Sequence, residues 1–370
     1  MTKHVAVTGA NGFLGRNLVQ RLRERGFELR CVPHTANGEE LRTLLADVRI
    51  VFHLAGVNRP EQVSGFAVGN EGFTRAVCHA LIVLGQSTPV VYASSIQASL
   101  DNPYGRSKLA AEVIIADYAK AATAPSFNFR LANVFGKWCR PDYNSVVATF
   151  CHNIARGLPI TISDPAAPLS LVYVDDVVEQ FIAIADELPA RGNDDCTVAP
   201  VYQTTVGEVA EQIQAFHRSR ETLVASRVGT GFIRALHSTY VSYLAPADFA
   251  YPLVAHTDAR GVFAEMMRTP DCGQFSFFTA HPGVTRGSHY HHSKTEKFLV
   301  VEGRARFRFR HLLTNETFEI LVSSDEPVIV ETVPGWVHDV TNIGDGKMVA
   351  ILWANEVFDK DRPDTIAAKV

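Results

Sequence analysis

The first 26 residues constrain the fold of this chain most strongly. Residues 4–9 read H-V-A-V-T-G, a short apolar run, and G-A-N-G-F-L-G places glycines at positions 9, 12 and 15. Such a run is typical of a buried parallel strand, and residues 13–26 have the pattern of a helix. Glycine is required at the turn because a side chain would keep a pyrophosphate away from the N–H groups at the helix start. The pattern therefore predicts a strand, a tight turn and a helix that together bind a nucleotide.

The second predicted strand bears on the choice of cofactor. It reads E-L-R-C-V-P-H over residues 28–34 and carries no acidic residue near its end. In the general dinucleotide-binding fold, an acidic residue at that point binds the ribose diol of NAD. Arg16, Arg30 or His34 can instead meet a 2′-phosphate, so we expect NADPH. The alternative is that these three side chains are plain surface residues.

A second group of residues indicates acid–base chemistry. The string P-V-V-Y-A-S-S predicts a buried strand that ends in Ser94 and Ser95, and Tyr104 follows nine residues later. Lys108 stands four residues beyond Tyr104, which is about one helical turn, so the ammonium group is predicted to lie beside the phenol. A nearby cation favours the phenolate and lowers the tyrosine pKa. The group predicts proton transfer at a carbonyl or alcohol oxygen.

With these motifs, the first two-thirds of the chain resembles the extended short-chain dehydrogenase/reductase family. The matching strings are the three glycines, H-L-A-G at His53, Asn70, the two serines, Y-x-x-x-K, R-L-A-N-V-F-G at Arg130 and Y-V-D-D at Tyr173. The resemblance implies that Ser95 is the catalytic hydroxyl beside Tyr104 and Lys108, with Ser94 as the alternative. The implied cofactor contacts are Gly9, Asn11, Gly12, Phe13, Leu14, Gly15, His34, Leu54, Ala55, Gly56 and Lys108. The implied substrate contacts are Asn58, Arg59, Arg130 and Asn133.

The sequence pattern changes near Ala245. Two prolines in A-P-A-D-F-A-Y-P interrupt the helical pattern, and short alternating strands such as F-L-V-V-E-G-R-A-R-F-R-F-R follow. A chain of 370 residues is long for one hydrophobic core. We therefore predict an α/β fold with a Rossmann-like doubly wound parallel sheet, followed by an all-β barrel. The predicted domains are an NADP-binding reductase domain over residues 1–246 and a strand-rich domain over residues 252–370.

The strand-rich part contains a cluster of histidines. The string G-S-H-Y-H-H-S-K-T-E places His289, His291 and Glu296 within eight residues, and P-G-W-V-H-D adds His338. Side chains at i and i+2 of a strand share a face, so the first two imidazoles can point at one place. Three imidazoles and a carboxylate suit zinc or another divalent metal, and ordinary surface histidines are the alternative. The two motifs resemble the cupin family, whose small β-barrel holds a metal between them.

Taken together, the two halves resemble a family of bifunctional enzymes of capsule and O-antigen precursor synthesis. The resemblance covers the whole chain and includes D-N-P-Y-G-R-S-K, F-G-K-W-C-R-P-D-Y-N-S-V and W-A-N-E-V-F-D-K-D-R-P-D-T. It implies a UDP-linked 4-keto-6-deoxy sugar, UDP-2-acetamido-2,6-dideoxy-4-hexulose, as substrate. Carbon 3 is epimerised in the cupin domain and carbon 4 is reduced by NADPH. The implied product is UDP-2-acetamido-2,6-dideoxy-L-talose, a precursor of N-acetyl-L-fucosamine.

The residue that moves the proton at carbon 3 stays open at this point. Lys294 is the expected proton carrier near the histidine cluster, and Tyr290, His292 and Lys297 are alternatives. The metal either polarises the carbonyl or only stabilises the barrel, since four protein ligands fill a tetrahedral zinc shell.

Composition excludes several other classes of function. The 35 basic and 39 acidic side chains leave a net charge of −4, so nothing indicates binding to nucleic acid or to an anionic membrane. Six cysteines without C-x-x-C spacing indicate a reducing compartment, and no apolar run reaches the roughly 18 residues of a membrane span. We expect a cytoplasmic enzyme that forms a homodimer or a higher homo-oligomer.

Two other functions remain possible from the sequence. In the first, the chain is a single-activity nucleotide-sugar reductase or epimerase whose barrel serves only oligomerisation or binding. In the second, the dinucleotide domain is a redox-sensing scaffold without catalysis. The intact pair of Tyr104 and Lys108 argues against the second.

Overall fold

The computed structural model describes residues 4–258, 261–264, 267, 273–356 and 361–370. The chain divides into two compact units, one of residues 1–145 and 169–204 and one of residues 146–168 and 205–370. The helices of residues 206–241 thus belong with the C-terminal strands, although they precede the predicted boundary at residues 246–252. That boundary remains a prediction about domains.

The first unit is built on a six-stranded parallel sheet with the order β2-β1-β3-β4-β5-β8. These strands are short and apolar, and β3 buries all four of its side chains, as expected for a parallel sheet covered on both faces. The strands are β1 (His4–Thr8), β2 (Glu28–Val32), β3 (Ile50–His53), β4 (Val90–Ser95), β5 (Ser126–Leu131) and β8 (Asn193–Cys196). A three-stranded sheet contains β6 (Asn133–Phe135), β7 (Pro168–Tyr173) and β9 (Tyr202–Thr205).

Helices cover the parallel sheet. Helix α1 packs with α7, and α4 packs with both α2 and α5, while Val51, Val77, Leu81 and Tyr92 contribute to the buried core beneath them. The helices are α1 (Phe13–Glu24), α2 (Gly38–Leu45), α3 (Ser64–Phe66), a π-helical segment (Ala67–Gly72), α4 (Phe73–Leu84), a 3-10 turn (Ile96–Ser99), α5 (Pro103–Ala122) and α7 (Val174–Glu187).

The second unit combines three helices with antiparallel strands. Its helices are α6 (Val146–Ala155), α8 (Val206–Thr222) and α9 (Gly231–Val241), and a 3-10 turn spans Pro246–Asp248. Its strands are β10 (Ala250–Pro252), β11 (Ala255–Asp258), β12 (Gly261–Ala264), β13 (Gln274–Ala280), β14 (Thr285–Tyr290), β15 (Glu296–Glu302), β16 (Arg304–His311), β17 (Thr317–Ser323), β18 (Val328–Glu331), β19 (Trp336–Asn342), β20 (Met348–Ala354) and β21 (Ile366–Ala367).

Most of these strands form two five-stranded sheets. One has the order β10-β18-β15-β20-β13 and the other has the order β17-β16-β19-β14-β21, while β11 pairs with β12. Phe298 of the first sheet contacts Phe307 of the second, with ring centres 5.5 Å apart, so the apolar faces of the two sheets pack on each other. The predicted succession of a Rossmann-like parallel sheet and an all-β part is confirmed.

Ion pairs attach the helices of the second unit to its strands. Arg220 of α8 lies 3.5 Å from Glu331 of β18, and its guanidinium lies over the ring of Tyr251 in β10. Arg234 of α9 lies 3.1 Å from Glu356. These contacts explain why helices that follow the reductase sequence pattern belong to the second unit. Within the described residues, no helix has the length and apolar content needed to cross a bilayer.

Replacing Gly9 by Ala is expected to destabilise the first unit more than the same change at Gly85. Both glycines have left-handed backbone, with φ of +68° and +65°, but a Cβ at Gly85 meets nothing within 4 Å. A Cβ at Gly9 would lie 2.7 Å from the backbone nitrogen of Ala55. The shared backbone strain costs about 1–2 kcal/mol, and the overlap at Gly9 adds about 1–3 kcal/mol. Urea denaturation followed by circular dichroism measures the difference, and equal midpoints for the two variants would contradict this steric argument.

Candidate functional site

The turn between β1 and α1 excludes side chains at two of its glycines. A Cβ at Gly9 would collide with the backbone of Leu54 and Ala55, and a Cβ at Gly15 would overlap the carbonyl oxygen of Gly9. Helix α1 begins after Gly12 as its N-cap, and no side chain caps its first N–H groups. Because N–H groups at a helix start bind anions, this turn fits the pyrophosphate of a dinucleotide.

A buried hydrogen-bond network holds the H-L-A-G segment against the end of β1. The hydroxyl oxygen of Thr8 accepts the N–H groups of Leu54 and Ala55, each at 3.1 Å. His53 bridges Thr8 Oγ1 at 2.9 Å and Thr74 Oγ1 at 2.8 Å. Burial lowers the pKa of His53 to about 3, so the imidazole is neutral and acts as a structural bridge.

Asn70 supports the loop that follows this segment. Its Oδ1 accepts the N–H of Val57 at 2.7 Å, and its Nδ2 donates to Ser107 Oγ at 2.9 Å. The sequence pattern singled out Asn70 without giving it a role. In the structure it connects the predicted cofactor loop to helix α5.

Helix α5 places the predicted acid–base pair at the carboxyl end of β4. Ser95 lies beside Tyr104, and its side chain favours the phenolate and lowers the phenol pKa, while Lys108 Nζ donates to the carbonyl oxygen of Ala93 at 2.8 Å. A Cβ at Gly56 would lie 3.3 Å from Lys108 Nζ. The tyrosine, the serine, the lysine and the predicted cofactor loop therefore form one site.

Desolvation dominates the electrostatics of this site. Burial lowers the pKa of Lys108 to about 8, against the opposing effect of the Glu112 carboxylate. Burial raises the pKa of Tyr104, and the hydrogen bond with Ser95 only partly opposes this. The predicted lowering of the tyrosine pKa by the neighbouring cation is therefore wrong for this structure, because desolvation of the phenol has the larger effect. The phenol is protonated at neutral pH.

Ser94 and Arg130 meet a residue that the sequence analysis missed. Ser94 Oγ donates to Glu112 Oε1 at 2.5 Å, and Arg130 donates to both oxygens of the same carboxylate, at 3.0 and 2.7 Å. Tyr104 and Glu112 lie about two turns apart on helix α5, so Ser95 lies beside Tyr104 while Ser94 contacts Glu112. The position of Glu112, one helical turn beyond Lys108, is the sequence signal that could have pointed to it.

The remaining predicted contacts of the first unit lie around the turn and the adjacent loops. Phe13, Leu14, Leu54 and Ala55 are partly buried, whereas Asn11, Arg16, His34, Asn58, Arg59 and Asn133 are exposed. Arg30 donates to the carbonyl oxygens of Thr43 and Ala46, so its guanidinium already has partners. The cofactor and substrate roles of these residues stay predictions.

The four predicted metal ligands meet in the second unit. His289, His291, Glu296 and His338 can each direct one ligand atom so that all four atoms lie within 4.8 Å of one another. Pairing of β14 with β19 places His289 opposite His338, and Glu296 begins β15. Nε2 of His291 and Nε2 of His338 lie 3.2 and 3.4 Å from Glu296 Oε2.

The chemistry of this cluster fits a divalent metal. The buried Nε2 atom of His289 has no hydrogen-bond partner among the described residues, although buried polar atoms are ordinarily satisfied. Burial and the neighbouring imidazoles lower the pKa of His289 to about 4, so its lone pair is available at neutral pH. Neutral imidazoles with free nitrogens and a carboxylate are suitable ligands for zinc.

A single carboxylate near the C-terminus holds the segment that carries two of these ligands. Asp364 accepts the backbone N–H groups of His292, Ser293 and Lys294 at 2.8, 2.7 and 2.8 Å. The carbonyl oxygen of Asp364 also pairs with Nδ1 of His291, which leaves Nε2 of that ring to face Glu296. No spacing in the sequence pointed to Asp364, because it lies about 70 residues after His292 in the chain.

The predicted proton carriers differ in how they relate to the cluster. Lys294 is buried, and its Nζ lies 3.1 Å from Glu296 Oε1. Lys297 binds Glu331 and Tyr251 instead. The rings of Tyr290 and His292 contact each other with centres 5.6 Å apart. Of the four candidates, Lys294 is therefore the one whose charged group is shown in contact with a predicted ligand.

Comparisons with known proteins agree with this geometry. Residues 5–198 match the NAD dependent epimerase/dehydratase family, and residues 256–366 match the polysaccharide biosynthesis C-terminal domain. The chain is 53% identical over 368 residues to the UDP-2-acetamido-2,6-beta-L-arabino-hexul-4-ose reductase of Pseudomonas aeruginosa, covering 99% of this chain and 98% of that protein.

Solved structures extend the comparison to the fold. The capsular polysaccharide assembling protein CapF from Staphylococcus aureus is 40% identical, with a TM-score of 0.68 over 99% of this chain and 100% of that chain. MoeE5 in complex with UDP-glucose and NAD is 22% identical, with a TM-score of 0.55 over 65% of this chain and 98% of that chain, which shows a shared fold.

These findings define the class as NAD-dependent epimerases and dehydratases that carry a second, polysaccharide-biosynthesis domain. The chain belongs to the NAD dependent epimerase/dehydratase family. Its full-length similarity to the reductase and to CapF confirms the predicted resemblance to capsule-precursor enzymes.

Replacing Asp364 by Asn is expected to destabilise the second unit by about 2 kcal/mol, because backbone donors lose charged acceptors. Burial opposes ionisation of Asp364, but His292 and the N–H donors outweigh it and hold the pKa well below its usual value. The stabilising effect is therefore present above about pH 4, the ordinary aspartate pKa, and is lost on acidification. Thermal unfolding at pH 7 and pH 3, with the exposed Asp345→Asn variant as control, measures both effects. A constant difference between wild type and Asp364→Asn across this range would contradict the assignment.

Proposed function

We propose that this chain is a nucleotide-sugar oxidoreductase that reduces carbon 4 of a UDP-linked 2-acetamido-2,6-dideoxy-4-hexulose with NADPH. In the same proposal, the C-terminal cupin domain first epimerises carbon 3, so that the product is UDP-2-acetamido-2,6-dideoxy-L-talose. The observation that carries the reductase function is the group of Ser95, Tyr104 and Lys108 beside a dinucleotide-binding turn. The full-length similarity to a UDP-sugar 4-keto reductase supports it.

The residues of the first unit have complementary roles in the reduction. A bound nicotinamide cofactor supplies the hydride for carbon 4. Tyr104 donates a proton to the carbon 4 oxygen, and its raised pKa keeps that proton in place until the oxygen becomes basic. Ser95 orients the same oxygen, and the nearby charge of Lys108 stabilises the phenolate that remains. The preference for NADPH is supported by the absence of an acidic residue at the end of β2.

The proposed epimerisation depends on the second unit. A ketone at carbon 4 acidifies the proton on carbon 3, so a base can remove it and form an enolate that needs electrostatic stabilisation. His289, His291, Glu296 and His338 would hold a divalent metal, and that metal would supply the positive charge that polarises a carbonyl. Lys294 is the proposed proton carrier because its ammonium lies beside Glu296 and is buried with it.

A second candidate function gives the metal a structural role. Four protein donors converge in the cluster, and four donors complete a tetrahedral zinc shell without an open position for substrate. In this alternative the chain is a single-activity reductase, and the C-terminal domain serves stability or assembly.

Replacing Tyr104 by Phe separates the two proposed steps. We expect NADPH oxidation by the full chain to fall by at least about 100-fold, because the proton donor is lost. Exchange of the carbon 3 proton for deuterium, followed by NMR of the keto sugar in heavy water, is expected to continue. If exchange stops together with reduction, the assignment of the two steps to separate groups is wrong. If wild type shows reduction but no exchange, the single-activity alternative is favoured.

Replacing His338 by Ala tests the metal cluster. Loss of one ligand is expected to weaken zinc binding by at least about 100-fold, more than the loss of a supporting contact does. Zinc content after dialysis, measured by mass spectrometry, is the direct readout. The exposed His281→Ala variant is the control for general loss of imidazoles and is expected to retain zinc. Equal zinc contents in the two variants would reject the cluster as the metal site.

A further inference from the structure

Three successive residues at the end of β4 each bind a different residue of helix α5. The partners lie on successive turns of one helix face, since residues four apart are neighbours on a helix. The pairs are Ala93 O with Lys108 Nζ at 2.8 Å, Ser94 Oγ with Glu112 Oε1 at 2.5 Å, and Ser95 with Tyr104. The reductase group thus continues one helical turn beyond Lys108, to a carboxylate that the proposed reaction does not yet use.

Glu112 is held in place from two sides. Arg130 lies directly opposite Ser94 in the pairing of β5 with β4, so both side chains reach the same carboxylate. The Glu112 side chain is 9% exposed, whereas the Arg130 side chain is 38% exposed. Burial alone would raise the pKa of Glu112, but hydrogen bonds from Arg130, Ser94 and Asn128 outweigh this effect and lower it. The carboxylate is therefore charged at neutral pH.

We propose that Glu112, fixed by Ser94 and Arg130 one helical turn beyond Lys108, is a positioning residue whose negative charge keeps the Lys108 ammonium protonated during the reduction. Glu112 acts through Lys108 and does not itself contact the reacting atoms. The proposal deepens the proposed reductase function and rests on it.

The groups around Lys108 explain why this carboxylate matters. The ammonium lies 4.8 Å from the ring centre of Tyr92 on β4, and burial raises the pKa of that phenol, so it is neutral. His53 on β3 is neutral as well, because burial lowers its pKa to about 3. Tyr104 on α5 is protonated, and Glu112 on α5 is the negative charge that opposes the desolvation of Lys108. Charge interactions are strong where water is excluded.

Replacing Glu112 by Gln is the direct test. Lys108 is expected to lose its proton about one pH unit lower than in wild type, so kcat/KM for NADPH oxidation at pH 8, near the Lys108 pKa of about 8, falls by about fivefold. The falling limb of the pH profile moves to lower pH, and the affinity for NADPH, titrated by fluorescence at pH 6.5, is unchanged. Glu112→Asp is expected to restore part of the shift. Glu179→Gln, which removes a carboxylate paired with Arg21 on the surface, is the matched control.

Replacing Arg130 by Met tests the sign of the effect. This change removes the positive charge that partly neutralises the Glu112 carboxylate. Lys108 is therefore expected to keep its proton to higher pH, and the falling limb of the pH profile moves in the same direction. A purely structural role for the pair would lower activity in both variants without shifts in opposite directions. The proposal is overturned if the falling limb of the pH profile is the same for Glu112→Gln and wild type. It is also overturned if the limbs of both variants move in the same direction. If Glu112→Gln does not fold, Arg130→Met still gives the answer.

A direct titration separates this proposal from the proposed function. NMR of chains labelled at the lysine ε-carbon follows Lys108 without substrate, with Lys108→Arg identifying its signal. If wild type does not oxidise NADPH in the presence of the keto sugar, the proposed function is rejected. The titration midpoints of Lys108 in wild type and in Glu112→Gln test the role of Glu112 without depending on that activity. Equal midpoints reject the proposed role of Glu112.

Discussion

The docking of helix α5 on the carboxyl end of β4 is the contact on which the reductase site depends. A parallel sheet brings the ends of β1, β3 and β4 to one edge, where the dinucleotide turn and the H-L-A-G loop lie. The helix must then present a phenol and an ammonium at that edge. Hydrogen bonds of Ala93 with Lys108 and of Ser94 with Glu112 set the position of the helix along the strand. Because Lys108 is buried, its charge depends on partners that water cannot replace.

The second unit also holds buried polar groups in a fixed arrangement, but with different contacts. Its predicted metal ligands are an imidazole from β14, the imidazole of His291 directly after that strand, an imidazole from β19 and a carboxylate from β15. Buried polar atoms without partners are costly, so the surrounding structure must hold them in place. Asp364 contributes by accepting three successive N–H groups next to the ligands. The C-terminal segment is therefore part of the site, although it lies far from the ligands in the sequence.

The two units also show how the same physical effect serves two proposed steps. Desolvation keeps Tyr104 protonated, which suits a proton donor, and it keeps the imidazole of His289 neutral, which suits a metal ligand. The similarity to a UDP-sugar 4-keto reductase and to CapF extends over both units. The same four donors serve both proposed roles of the C-terminal cluster, catalytic and structural. Exchange of the proton on carbon 3 is the property that distinguishes the two roles.

The sequence by itself determined the fold class, the glycine turn, the pair of Tyr104 and Lys108 and the four residues that are predicted to bind a metal and lie together in the structure. These features follow from local periodicity and short spacing, which depend on the geometry of a single strand or helix. Only the tertiary structure assigned the helices of residues 206–241 to the second unit, because long-range ion pairs attach them to the strands. It also decided that Ser95 rather than Ser94 contacts Tyr104, and that Glu112 and Asp364 support the two sites. Packing decides which residue a strand side chain contacts and where a distant segment of the chain lies. A local sequence pattern does not contain this information.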